Sequence, residues 1–173
     1  DITRVGIYGH SGGGFMSTAA ILSYPDFYDV AVSSSGNHDN NIYNYWWGET
    51  HNGVSEVEKK ISTKGAVKDS TIKKKDAEIT FKGTVEKNQD LAKNLKGHLL
   101  LVTGDIDNNV HPGNTLRVAD ALIKANKRFD FMMLPGQRHA YGNEVPYFDR
   151  LMWYYFAEHL LGDYRTNVEL LDF

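Results

Sequence analysis

The chain has 173 residues, no cysteine, and 19 Lys and Arg against 22 Asp and Glu, a formal charge of −3. The missing cysteine excludes a disulfide scaffold, a thiol nucleophile and every Cys-ligated metal or cluster. The mild negative charge argues against a nucleic-acid binder, which needs a basic surface, and no apolar run reaches the ~18 residues that span a bilayer.

With 41% hydrophobic and 24% charged residues, the composition is that of a folded globular domain. A domain of this size buries roughly 70% of the surface its unfolded chain exposes. Residues 4–8, with Val5, Ile7 and Tyr8, read as a short strand. A glycine-rich turn over 9–14 follows, then a helix over 15–24 stopped by Pro25. Val30, Ala31 and Val32 form a buried-strand candidate, and Ser33-Ser34-Ser35 reads as its end. Residues 42–47 are rich in aromatics.

Residues 56–90 differ from the rest, with nine lysines, seven acids and few large apolar side chains. They read as a solvated loop or protruding hairpin, with strands expected in 70–81. Residues 91–95 look helical. Residues 98–103 are an apolar run ending at Gly104, as expected of a buried parallel strand. Pro112 suits the first turn of a helix whose inner face is Val118, Ala119, Leu122 and Ile123. Residues 128–134 are another strand. Residues 145–161 are an aromatic-rich helix with Gly162 as its cap. Strands alternating with helices predict the α/β class, a mainly parallel sheet with helices on both faces.

Gly9-His10-Ser11-Gly12-Gly13 matches G-x-S-x-G between a strand and a helix, the context a nucleophile elbow needs. Glycines two residues either side of Ser11 relieve backbone clashes. The N–H of Gly12 is placed to donate into an oxyanion hole, helped by the helix N-terminus. The bland alternative is a glycine-rich turn or a phosphate cradle. No Lys follows in Walker spacing, and G-x-G-x-x-G is absent.

A serine hydroxyl needs a base, usually a histidine fixed by a carboxylate. In α/β hydrolases the order is Ser, acid, His, with acid and base beyond the ends of later strands. The loop after 98–103 offers Asp105 and Asp107, and spacing alone leaves both open. The loop after 128–134 offers His139. The remaining histidines, His10, His38, His51, His98, His111 and His159, show no metal-binding spacing and read as structural or exposed.

At R-V-G-I-Y-G-H-S-G-G-G, L-L-L-V-T-G-D-I-D-N-N-V-H and L-P-G-Q-R-H the chain resembles the C-terminal catalytic part of the prolyl oligopeptidase superfamily. It looks nearest to the dipeptidyl peptidase IV and prolyl tripeptidyl peptidase branch. The resemblance covers nearly the whole chain except the Lys-rich segment at about 56–90, which looks like an insertion. It implies Ser11 as nucleophile, Asp107 as acid and His139 as base, choosing Asp107 over Asp105. It implies that Asn109 contacts a substrate carbonyl and that Tyr43 and Val110 line the pocket for the residue before the scissile bond. His10 and Gly12 depart from the Trp and Tyr that commonly flank the serine in that branch, which weakens the expected preference for proline and admits alanine.

The resemblance implies a serine peptidase that releases N-terminal di- or tripeptides, takes peptides as substrates, and needs no metal or organic cofactor. The alternatives are a carboxylesterase or lipase-like hydrolase, and a non-catalytic interaction module. Ser11 stands only ten residues from the start. Residues 1–173 are therefore expected to be the C-terminal portion of a peptidase domain, partnered by an upstream propeller and the rest of the catalytic domain, and inactive alone because the second oxyanion donor lies upstream. An open edge at the first strand would admit a homodimer. The resemblance suggests an exported parent protein.

Overall fold

A computed structural model describes residues 1–58 and 79–165. The chain divides into two compact units, one of 1–39 with 86–173 and one of 40–85.

The first unit opens with strand β1, Gly6–His10, and helix α1, Gly12–Ser23. Strand β2, Val30–Ser34, follows. The short helix α3, Asn88–Leu91, runs into a 3₁₀ turn, Ala92–Asn94. Then come strand β5, His98–Gly104, helix α4, Gly113–Lys124, strand β6, Asp130–Leu134, and helix α5, Val145–Leu161. The second unit supplies α2, Tyr45–His51, and strands β3, Ser55–Glu58, and β4, Ile79–Lys82.

The four strands of the first unit form one parallel sheet in the order β1-β2-β5-β6. Alternate side chains of the central strands leave on opposite faces. Ala31, Leu99 and Leu101 meet Ile21 and Leu22 of α1 and Val118 and Leu122 of α4. Val30, Val32, Leu100 and Val102 meet Met152 and Tyr155 of α5. Helices therefore cover both faces, and the unbroken apolar stretches Val30 to Val32 in β2 and Leu99 to Val102 in β5 follow from burial on both sides. Truncating a fully buried residue such as Leu99 or Leu101 to alanine costs about 2–5 kcal/mol.

The helix over 145–161 and its αL glycine, Gly162 at φ 72°, match the sequence reading. Other boundaries shift. The first strand runs over 6–10, not 4–8, and α1 starts at Gly12, three residues before the expected position. On α4 the buried stripe is Thr115, Val118, Ala119 and Leu122, at helical spacing. Ile123, expected on the inner face, is 66% exposed because it falls one residue beyond that stripe.

In the second unit, β3 and β4 pair antiparallel, Ser55 opposite Lys82. The expected hairpin thus takes its first strand from before residue 59, and residues 70–78 lie outside the described part. Asn44 caps α2, its Oδ1 accepting from Trp47 N at 3.2 Å. The Asn41 side chain exchanges two hydrogen bonds with the Val85 backbone, 2.8 and 3.0 Å.

Candidate active site

A parallel sheet brings its strand ends to one edge. Here the register aligns His10 with Ser34 and Ser34 with Val102, one residue row across three strands. The chain positions Ser11, Ser35, Asp107 and His139 all follow C-terminal strand ends.

Ser11 has φ 59° and ψ −120°, a left-handed conformation that costs a non-glycine residue about 1–3 kcal/mol. Its N–H is held by Ser34 O at 2.8 Å, and its own carbonyl accepts from Phe15 N at 3.0 Å. The turn is tight enough that a β-carbon on Gly9 would lie 2.4 Å from the Gly13 carbonyl, and one on Gly14 2.5 Å from Ser34 O. Gly13 differs from expectation, since a β-carbon there meets nothing within 4 Å. The sequence reading missed Gly14, which lets α1 pack against the end of β2. Gly12 is the first residue of α1, and N–H groups of a first helical turn have no partner within the helix.

Beyond β5, Asp107 is buried and Asp105 is exposed. Asp107 Oδ1 accepts from Asn109 N at 2.9 Å and Val110 N at 3.0 Å, an Asx-type turn in which the carboxylate folds its own loop around itself. Its Oδ2 lies 2.7 Å from His139 Nδ1. An ionised carboxylate only accepts, so Nδ1 carries the proton and Nε2 is left with the lone pair. Asn109 is exposed, whereas the Val110 side chain is 1% exposed. Tyr43 belongs to the second unit, where its ring stands 6.2 Å from Trp47.

The sequence reading did not foresee the part played by His10. Its ring centre lies 4.6 Å from that of His139 and 5.5 Å from that of Tyr141. Its Nδ1 is 2.7 Å from Ser34 Oγ. Ser34 in turn donates to Tyr141 Oη at 2.8 Å, Ser35 Oγ stands 3.0 Å from the same oxygen, and Tyr141 donates to Val102 O at 3.3 Å. The serine run is therefore a hydrogen-bonding row and not merely a strand end. Partial burial, then His139, holds His10 below its ordinary proton affinity, with Asp107 pulling weakly the other way. Burial pushes the Tyr141 hydroxyl up. Tyr141 has φ 58°, a conformation nothing in the local sequence announces.

The other histidines lie elsewhere. His38 is fully buried, its Nδ1 accepting from Asn88 Nδ2 at 2.9 Å. His98 and His159 stack with ring centres 4.0 Å apart. His51 packs on Trp47, and His111 accepts from Gly113 N.

The prolyl oligopeptidase family model matches residues 1–163. Human dipeptidyl peptidase 8 is 25% identical over 140 residues, which cover 81% of this chain and 14% of that protein. The structure of a putative dipeptidyl aminopeptidase IV from Bacteroides ovatus superposes with a TM-score of 0.69 at 25% identity, covering 92% of this chain and 20% of that one. The acylaminoacyl peptidase of Pyrococcus horikoshii shares the fold, with a TM-score of 0.65 at 16% identity, over 98% of this chain and 26% of that one. The chain thus spans well under a third of the length of each.

Proposed function

Because the chain belongs to the prolyl oligopeptidase family, we propose that it carries the catalytic centre of a serine peptidase, with Ser11 as nucleophile, His139 as base and Asp107 as acid. The observation that carries this reading is the 2.7 Å bond between His139 Nδ1 and the buried Asp107 carboxylate, joined to the left-handed Ser11 at the β1–α1 turn. The Asp107 contact fixes the tautomer that leaves His139 Nε2 free to take a proton.

Ser11 Oγ attacks a peptide carbonyl while its proton passes to His139 Nε2. The carbonyl oxygen becomes an oxyanion, which the N–H of Gly12 stabilises at the positive end of α1. His139 then gives the proton to the leaving amine as the C–N bond breaks. Water, deprotonated by the same nitrogen, attacks the acyl carbon, and His139 returns that proton to Ser11 Oγ as the ester bond breaks. No step in this sequence calls on a metal or an organic cofactor. Asn109 contacts the substrate carbonyl. The buried Val110 supports the wall of the pocket for the residue before the scissile bond. The full-length protein releases N-terminal di- or tripeptides after proline or alanine, the small Gly12 leaving room for either.

The test uses the full-length protein. An organophosphonate probe is expected to label Ser11, and Gly-Pro and Ala-Pro anilides are expected to turn over faster than p-nitrophenyl butyrate, with both activities lost in Ser11→Ala. Preferential ester turnover would replace the peptidase reading with a carboxylesterase. Absence of labelling and of both activities would point to a non-catalytic module.

A further inference from the structure

The residue before the nucleophile is fixed more firmly than a turn residue needs to be. The single proton of Ser34 Oγ is spent on Tyr141 Oη, and that of Tyr141 on Val102 O. Ser34 Oγ can therefore only accept from His10, so His10 Nδ1 is protonated and the ring has one tautomer. The order of donation runs His10, Ser34, Tyr141, Val102, and it ends on a backbone carbonyl of β5, the strand that leads to Asp107. Two rings close on His10, His139 at 4.6 Å and Tyr141 edge-on at 5.5 Å and 88°. Side-chain networks of this kind restrict motion when every member is satisfied.

We propose that His10 is a positioning residue for His139. A buried serine–tyrosine relay locks its ring, and the locked ring braces the His139 imidazole while Asp107 holds its Nδ1. The inference rests on His139 being the general base. The bond to Asp107 fixes one atom of the His139 ring and leaves rotation about that contact open. A second ring at 4.6 Å limits that rotation, and so limits where Nε2 travels relative to Ser11. Small misplacements of a base are costly, on the order of 10²-fold for about 1 Å.

His10 also acts through charge. The groups facing it are His139, Asp107, Tyr141 and the neutral Ser34 hydroxyl. During acylation His139 becomes a cation, and a protonated His10 beside it would oppose that step. Partial burial and the neighbouring His139 both hold His10 below its ordinary proton affinity, which keeps it neutral beside that step.

Three variants of the full-length protein separate the parts. His10→Ala removes ring and bond, His10→Phe keeps a ring without the bond to Ser34, and His10→Asn keeps a donor near the Nδ1 position without the ring. Expected for His10→Ala is a fall in kcat of about tenfold or more with KM nearly unchanged, and a displaced low-field proton resonance of His139 Nδ1–H. His10→Phe is expected to recover part of kcat and His10→Asn less. Melting temperatures of the three report folding separately. Unchanged kcat and an unmoved His139 resonance in folded variants would overturn the proposal. Wild-type labelling of Ser11 by an organophosphonate distinguishes that failure from failure of the peptidase reading, in which the wild type itself is unlabelled.

Discussion

Gly104 and Gln137 meet backbone to backbone, so closely that a β-carbon on Gly104 would lie 2.3 Å from the Gln137 carbonyl oxygen. The same carbonyl accepts from Ile106 N at 3.2 Å. Two loops are thereby joined, the one after β5 that carries Asp107 and the one after β6 that carries His139. The hydrogen bond between those two side chains depends on this close approach.

Gly104→Ala is accordingly expected to push the loop of residues 135–139 away from β5. The 2.7 Å contact of Asp107 with His139 lengthens, and kcat/KM falls by about 10²-fold, the scale of an ångström's misplacement. Anilide kinetics and a melting curve check this together. Wild-type kinetics in the variant would show that the close approach does not set the site.

Asp107→Asn keeps the size and one oxygen. That oxygen remains with the N–H groups of Asn109 and Val110, which forces the amide nitrogen toward His139. A donor there meets the Nδ1 proton, so the ring must switch its proton to Nε2, and the free lone pair at Nε2 is lost. The expected result is a folded protein with kcat lowered by about 10⁴-fold. A near-normal rate would remove Asp107 from the mechanism.

Burial holds His38 at about 3, against an ordinary 6.5. The unfolded chain takes a proton on this ring near 6.5 while the folded one stays neutral down to about 3. Its contribution to stability is therefore complete above the unfolded value and is lost as pH falls from 6.5 toward 3. His38→Leu is expected to lower the melting temperature at pH 7, because Asn88 loses an acceptor, and to flatten the dependence of stability on pH by one proton across that window. Chemical denaturation at pH 7, 6, 5 and 4 measures both effects, and parallel curves for the two proteins would contradict the assignment.

The α/β class, the three strand ends and the helix over 145–161 were legible because each rests on a local pattern. An apolar run marks β5, a glycine marks the end of α5, and G-x-S-x-G between strand and helix marks the elbow. What was not legible rests on distance along the chain. His10 and His139 touch across 129 positions, and Ser34 and Tyr141 bond across 107. Neither pair leaves a spacing that a periodicity can detect. The early start of α1 escaped notice for another reason. Three consecutive glycines are poor helix formers, and α1 begins there because the elbow and the close packing of Gly14 on Ser34 require it. Choosing between Asp105 and Asp107 needed the family resemblance. In the structure the two differ plainly in burial and in contact with His139.

The second unit leaves the chain after Asp39 and returns at Glu86. On either side of that gap His38 and Asn88 are fastened together, backbone to backbone at 3.2 Å and side chain to side chain at 2.9 Å. Asp39 is tied further to Arg117 and Asn114 of α4. The exit and the re-entry of the chain are thus clamped at one point of the sheet scaffold by residues that belong to the scaffold. Whatever is threaded between them can lengthen, shorten or be exchanged without altering the spacing of β2 and β5, which makes this junction a natural splice point for grafting new surface onto an unchanged sheet.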